Sequence, residues 1–141
     1  MGNILNRKSL LAKEKLVIEE VELEGGDSVF IRQMTGRERD RFEQSLVTTI
    51  KNVKGVTESK PALDDFRAKL IVCVACDEKG KLLLLPGDVE VLSQNMSAFT
   101  LEKLVNVAQR LNKISQEDKE ELSKNSEAVQ KDNSTSASVK N

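Results

Sequence analysis

Two cysteines three positions apart, Cys73 and Cys76, are the residues of this chain whose type and spacing could do chemistry. A C-x-x-C pair occurs in zinc sites and in redox disulfides. A tetrahedral zinc needs about four ligands, and the sequence has no further cysteine and no histidine. A helix N-terminus lowers the pKa of a redox-active cysteine and so stabilises its thiolate. Cys73 and Cys76 instead lie at the end of an apolar run, where burial raises the pKa of a thiol. The pair therefore indicates core packing, and the sequence predicts no metal and no cofactor.

Other catalytic arrangements are also missing from the sequence. Adjacent carboxylates such as Asp64 and Asp65 point in different directions on a regular element, which favours solvated faces. No glycine pattern of a phosphate cradle surrounds Gly25, Gly26 or Gly87. Histidine, tryptophan and tyrosine are absent. We predict that the protein is not an enzyme, and a zinc or redox enzyme built on the two cysteines is the alternative to be tested.

Exposed groups that bind a partner are the other kind of candidate. Four arginines lie between Arg32 and Arg41, and they form either a solvated face or a contact surface for an acidic partner. Phe99 falls on the polar side of its predicted helix, so it either anchors a partner or folds back onto the segment at Met96. The sequence-based candidates for partner binding are Arg32, Arg37, Arg41 and Phe99.

Charge and hydropathy exclude several classes of partner. The net charge is −1 with 32% charged residues, both signs interspersed, which disfavours nucleic acid as the main partner. No apolar run approaches the roughly 18 residues that span a bilayer, and the N-terminus lacks a signal-peptide pattern. We expect no membrane association and a location in the cytoplasm.

A T-x-x-E capping box positions the arginines. The Thr35 oxygen can accept from the amide of Glu38, whose carboxylate can reach back to Thr35, so a helix is predicted to begin at Gly36. Within this helix Arg39 and Glu43 can pair across one turn. Its apolar stripe would comprise Phe42, Leu46, Ile50 and, at the end, Val53.

The strands come before this helix. Residues 16–23 alternate in a period of two and residues 29–34 are extended, with Gly25 and Gly26 between them, so the pattern predicts a β-hairpin. A lone hairpin is marginal in water and must pack on helices or on a third strand, for which residues 81–85 are the candidate.

The remaining helices follow from periodicity and caps. Residues 51–60 are predicted as a loop, and helices are predicted over residues 61–76, 89–95 and 98–112. A strand is the competing prediction for residues 70–76, where every side chain is apolar. In the last helix one face is apolar, comprising Leu101, Leu104, Val105, Ala108 and Leu111.

The predicted organisation is one α+β domain with two polar ends. Residues 1–15 are a loose basic arm or a short helix, either solvated or able to clamp an acidic or amphipathic partner. Residues 16–125 form the domain, in which the hairpin, with or without a third strand, packs on about four helices; a polar helix begins near residue 115. Residues 126–141 lack the apolar content to offset ordering entropy, which predicts a disordered tail.

Several motifs together resemble the tail assembly chaperones of siphovirus-type phages, which have long non-contractile tails. The resemblance runs from residue 16 to residue 126. It is carried by the hairpin leading into residues 32–43, by residues 76–81 (CDEKGK), by residues 104–112 (LVNVAQRLN) and by residues 121–126 (ELSKNS).

The resemblance implies an interaction protein of the host cell cytoplasm. It would coat the tape measure protein, keep it soluble, help recruit tail tube (major tail) subunits, and be absent from the mature virion; self-association would be compatible with this. The resemblance also implies a longer form made by ribosomal frameshifting. The codons of the last three residues can spell a slippery run, although other codons are equally allowed. The alternative function is a small phage regulatory or nucleic-acid-associated protein.

Overall fold

The computed structural model describes residues 2–51, 53–61 and 63–114, and a hairpin begins its central sheet. The hairpin strands are β1 (Ile18–Glu22) and β2 (Ser28–Arg32). They run antiparallel, with Ile18 opposite Arg32. In the turn between them Gly25 and Gly26 have positive φ, where a residue without Cβ meets no steric penalty. The predicted hairpin is confirmed, with slightly shorter strands.

A short third strand completes the sheet, at a different place from the one predicted. Strand β5 (Ala75–Cys76) pairs with β2, so the strand order is β1-β2-β5. The prediction of a strand over residues 81–85 is wrong, because this segment forms one isolated bridge, between Leu82 and Cys76. The chain turns tightly before it, where Asp77 accepts from two backbone amides, and two-residue β5 offers no longer edge to pair with.

Helix α2 (Gly36–Gln44) follows β2 and begins where the capping box predicts. Its C-terminus is earlier than predicted, since the helix does not continue to Ile50 or Val53. The reason lies in four consecutive β-branched residues at positions 47–50, which lose side-chain freedom in a helix and favour extended backbone.

These β-branched residues belong to a second hairpin. Strands β3 (Val47–Lys51) and β4 (Thr57–Pro61) are antiparallel, with Lys51 opposite Thr57. The prediction of a loop over residues 51–60 is therefore wrong. The polar side chains of β4 give no periodic signal, and what makes this segment a strand is its pairing with β3, which a single stretch of sequence does not show.

Helix α3 (Phe66–Val72) is shorter than the predicted helix over residues 61–76. Pro61 ends β4, and Asp65 has a left-handed φ of 58°, so the helix begins only at Phe66. After Val72 the chain turns and enters β5. The apolar run over residues 70–76 is thus helical first and extended afterwards, and it is buried in both parts except at half-buried Cys73.

The last two described helices match their predictions, α4 (Val89–Asn95) and α5 (Ala98–Asn112). Ser97 caps α5 by accepting from the Thr100 amide. The predicted apolar face of α5 is buried against α3 and β2 through Leu101, Leu104, Val105 and Ala108. In the same core the rings of Phe42 and Phe66 lie 5.7 Å apart and tilted by 60°, a favourable aromatic geometry.

At the N-terminus one helical turn, α1 (Arg7–Leu10), is closed by reciprocal bonds between Asn6 and Ser9. None of the helices in the described part of the chain is long and apolar enough to span a membrane. The α+β class is confirmed. The predicted polar helix near residue 115 and the tail at residues 126–141 lie outside the described residues, and the division into arm, domain and tail stays a prediction.

Candidate functional site

Arg32 and Glu38 connect the end of β2 to the first turn of α2. The two terminal guanidinium nitrogens of Arg32 each donate to one carboxylate oxygen of Glu38, both at 2.9 Å. Arg32 also donates to the carbonyl of Gln33 at 2.7 Å. The Arg32 side chain is 6% exposed and that of Glu38 is 24% exposed, so the pair is largely shielded from water. Bidentate pairing of a guanidinium with a carboxylate fixes both the distance between the two groups and their relative orientation.

The Glu38 carboxylate has two roles at this junction. It accepts from the Thr35 amide at 2.9 Å, which completes the predicted capping box, and it binds Arg32. The hydrogen bond from Arg32, followed by the bond from the Thr35 backbone, holds the pKa of Glu38 below its ordinary value of 4.5, although burial acts against this. Glu38 is therefore ionised at neutral pH, as both of its contacts require.

Asn112 attaches the end of α5 to the same junction. Its side-chain oxygen accepts from the Met34 amide at 2.7 Å, and its nitrogen donates to the carbonyls of Arg32 at 3.3 Å and Ala108 at 3.0 Å. Because both ends of the amide are used, the orientation of the side chain is fixed. Asn112 thus holds the chain between β2 and α2 against the last turn of α5.

Gln33 and Arg39 add further bonds to this wall. Gln33 accepts from the Val17 amide at 2.9 Å and donates to the Leu111 carbonyl at 3.3 Å. Arg39 donates to the Asn112 carbonyl at 3.0 Å. Through these bonds Gln33, which follows β2, connects the residue preceding β1 to the last turn of α5, and Arg39 connects α2 to the same turn.

An open cleft of about 560 Å³ lies beside this wall, between the residues preceding β1, the start of α2 and the end of α5. We call it the α2–α5 cleft. Its apolar lining consists of Leu16, Met34 and Leu111, and its charged lining of Lys13, Glu14, Arg39 and Lys113. A cleft of this size holds a few side chains of a partner. Its lining thus combines apolar side chains with three cationic side chains and one carboxylate, that of Glu14.

The predicted arginine surface is divided by the structure. Arg37 and Arg41 are exposed on one face of α2, and Arg39 forms the predicted pair with Glu43 at 2.9 Å. Arg32 is buried and paired with Glu38, so the expectation that it shares an exposed face with Arg37 and Arg41 is wrong. Partner binding by Arg32, Arg37 and Arg41 stays a prediction. The guanidinium of Arg32 is buried in the pair with Glu38, so it offers no exposed group to a partner.

Phe99 is exposed in the first turn of α5, with 67% of its surface accessible. The alternative that it folds back onto the segment at Met96 is therefore wrong. Phe99 precedes Asn112 by thirteen residues, a separation of about 20 Å along the helix axis. Phe99 therefore lies at the opposite end of α5 from Asn112 and the junction between β2 and α2.

The two cysteines are free, with Cys76 buried and Cys73 half-buried. Burial raises the pKa of both thiols, and the negative charge of Glu38 raises that of Cys73 further. Within residues 2–51, 53–61 and 63–114, no group of three cysteine, histidine or acidic residues could hold a metal ion. The geometry gives neither thiol the environment of a reactive thiolate.

Sequence reasoning did not identify the residues that build the α2–α5 cleft. The bonds of Asn112 and Gln33 to their partners span up to 80 positions of sequence. Asn112 at a helix end is an ordinary cap residue in sequence, and Lys13 and Lys113 appear as scattered charges. Only the crossing of α5 over the end of β2 brings them together.

No protein-family model and no curated protein matches this chain. Among solved structures, the chain is similar to one described as "Structure of bacteriophage HK97 tail assembly chaperone". The TM-score is 0.53 at 16% sequence identity, over 77% of this chain and 94% of that chain. The chain therefore has the fold of a siphovirus tail assembly chaperone, as the resemblance of its motifs implied.

Proposed function

We propose that this chain, which has the fold of the phage HK97 tail assembly chaperone, is itself a tail assembly chaperone. In this role it binds the tape measure protein, keeps it soluble, and helps recruit tail tube subunits while the tail is built. The observation that carries the proposal is the shared fold, which extends over 94% of the HK97 protein.

The surface of the molecule supports a binding role without catalysis. The α2–α5 cleft offers apolar side chains beside charged ones, and both thiols have raised pKa values. Arg37, Arg41 and Phe99 provide further exposed groups of the kinds enriched at protein interfaces. We place the action of the protein in the host cell cytoplasm, before the virion is complete.

The alternative of a nucleic-acid-associated regulator has weaker support. It depends on the arginines at the end of β2 and in α2, and Arg32 is buried in its pair with Glu38. The two exposed arginines on α2 form a much smaller positively charged surface than the basic stripes of nucleic-acid-binding proteins.

Co-expression with the tape measure protein of the same phage tests the proposed function. A tagged form of the full chain should retain that protein on an affinity column and elute with it as one complex in gel filtration. The tail assembly chaperone reading fails if the two proteins elute separately while both are folded and soluble.

A further inference from the structure

An N-terminal arm (residues 2–15) leaves the domain, and every residue of this arm is exposed. Four of its side chains are large and apolar, and each keeps more than half of its surface in water: Ile4, Leu5, Leu10 and Leu11. Clustered exposed apolar side chains are a feature of interaction surfaces.

Local bonds give the arm a defined shape. Asn6 accepts from the Ser9 amide at 2.9 Å, and Ser9 accepts from the Asn6 amide at the same distance, so a reciprocal capping box closes the N-terminus of α1. The Leu10 amide donates to the Asn6 carbonyl at 2.8 Å. The arm therefore presents Leu10 and Leu11 at the end of a closed helical turn, at a lower cost in entropy than an unstructured peptide would have.

The arm is continuous with the α2–α5 cleft. Lys13 and Glu14 belong to the arm and also line the cleft, where they meet Leu16, Met34 and Leu111. The apolar groups of the arm are thus separated from Leu16 of the cleft lining by only four residues of chain, and a partner lying in the cleft would be within reach of both.

The charge of this combined surface favours an acidic partner. The arm has four basic residues and one acidic residue, which gives it a net charge of +3 in a chain whose net charge is −1. The cleft adds Arg39 and Lys113 from the other side. Positive charge that converges on apolar groups from two sides is complementary to a partner with carboxylates beside its apolar residues.

Hydrogen bonding in the cleft wall favours a helical partner. The Val17 and Met34 amides are bound by Gln33 and Asn112, and the Leu111 and Asn112 carbonyls are bound by Gln33 and Arg39. An extended peptide would need free main-chain groups here to form a ladder. A helix satisfies its own main chain and needs only side-chain contacts.

The arm is also long enough for a helix. Ten of its residues lie outside α1 and can extend by about 3.3 Å each, giving a reach of about 30 Å. Half the circumference of a helix with side chains, about 10 Å across, is roughly 16 Å. The arm can therefore close over one helix that lies in the cleft.

We propose that the N-terminal arm and the α2–α5 cleft together bind one amphipathic helix whose polar face is acidic. This rests on the proposed function in one respect, since the tape measure protein would supply the helix. An anionic lipid surface is disfavoured, because only four residues of the arm are helical and the other main-chain groups would lose their hydrogen bonds in hydrocarbon.

Two dye-labelled synthetic peptides test the chemistry of the site by fluorescence anisotropy with the full chain. Both have the same leucine stripe at helical spacing; one has glutamates on its polar face and the other lysines. The glutamate peptide should bind at least about tenfold more tightly than the lysine peptide at low salt, and its affinity should fall as the salt concentration rises. Equal affinity for the two peptides would overturn the proposal.

Variants of the arm locate the site. Replacing the apolar side chains of the arm with Leu5→Ser, Leu10→Ser and Leu11→Ser should lower the affinity for the glutamate peptide by about tenfold or more. Reversing the charge with Arg7→Glu, Lys8→Glu and Lys13→Glu should invert the preference between the peptides. The arm lies outside the core, so these variants fold.

Matched controls change the same residue types elsewhere on the surface. Val53→Ser with Val91→Ser removes exposed apolar groups outside the arm, and Lys79→Glu with Lys103→Glu reverses exposed charges. Both controls should leave peptide affinity within about twofold. Loss of binding in the controls equal to that in the arm variants would show that the arm is not the site.

Three further outcomes distinguish this proposal from the proposed function, from self-association and from lipid binding. An arm variant that keeps its tape measure complex and its peptide affinity overturns the proposal and leaves the proposed function standing. A wild-type chain that binds the glutamate peptide through the arm but not the tape measure protein keeps the proposal and removes the proposed function. If the arm substitutions change only self-association, or only binding to vesicles containing phosphatidylglycerol, the proposal is wrong.

Discussion

Arg32 at the end of β2 and Glu38 in the first turn of α2 are joined by two parallel hydrogen bonds of 2.9 Å. The same carboxylate caps α2 through the Thr35 amide. Because one side chain serves both contacts, the start of the helix is fixed relative to the sheet. Asn112 binds the Arg32 carbonyl and the Met34 amide, so this ion pair also supports one wall of the α2–α5 cleft.

Removing the guanidinium should destabilise the protein. Arg32→Met leaves the Glu38 carboxylate without its partner and should lower the free energy of unfolding by about 2 kcal/mol, less than for a fully buried pair because water still reaches Glu38. Urea unfolding at neutral pH measures this, with exposed Arg37→Met as the control. In a double-mutant cycle with Glu38→Gln, a coupling energy near zero would contradict the role assigned to the pair.

The pH dependence of stability should carry a contribution from Glu38. Its pKa is lowered in the folded state, so the unfolded chain binds more protons in the acid range; the stabilisation is complete above pH 4.5 and is lost as the pH falls through the folded pKa. The difference in unfolding free energy between wild type and Glu38→Gln should be largest at neutral pH and shrink below pH 4.5. A difference that stays constant across this range would exclude this contribution.

Asn112 should contribute more to stability than Asn106, the other asparagine of α5. Asn112→Ala removes three hydrogen bonds and leaves the Met34 amide without its acceptor, which should cost about 2 kcal/mol of unfolding free energy. Asn106 is exposed on the same helix, and Asn106→Ala should change stability by less than about 0.5 kcal/mol. Equal effects of the two substitutions in thermal or urea unfolding would argue against the bonds of Asn112 to Arg32 and Met34.

Both cysteines should react slowly in the folded protein. Burial raises the pKa of each thiol, which lowers the thiolate fraction, and Cys76 is also 1% exposed. Modification by a chromogenic disulfide reagent at mildly alkaline pH should be at least about tenfold slower than in urea, with Cys73 the faster of the two. Rapid modification of the cysteines in the native protein would instead support a redox function of Cys73 and Cys76.

The exposed candidates should each contribute to partner binding. Arg37→Glu with Arg41→Glu, and Phe99→Ser by itself, should each weaken the complex with the tape measure protein, because arginine and aromatic side chains are enriched at protein interfaces. Affinity measured by titration calorimetry checks this, with Lys79→Glu and Lys103→Glu as the charge control. An unchanged affinity would assign these residues to the solvated surface.

Local signals in the sequence predicted much of the fold. The capping box of Thr35 and Glu38 gave the start of α2, Gly25 and Gly26 gave the first turn, and the apolar stripe gave α5 with its buried face. Each of these depends on residues close in sequence, where backbone sterics and side-chain reach decide the structure.

What depended on distant pairing could not be predicted. Strand β4 is stabilised by pairing with β3, and β5 forms because β2 lies beside it, so neither β4 nor β5 has a strong signal of its own. Strand β3 does have a local signal in its four β-branched residues, but the apolar stripe of the preceding helix obscured it. The burial of Arg32 and the bonds of Asn112 require the angle between strand and helix, which no spacing in the sequence encodes. For the same reason the α2–α5 cleft was not foreseen.

The soluble fraction of the tape measure protein tests the central claim most directly. Expressed alone, that protein should be found mainly in the pellet; with this chain it should move to the supernatant and rise in proportion to the amount of chain present. A soluble fraction that stays the same over a range of chain concentrations, with the chain itself folded, would contradict the account.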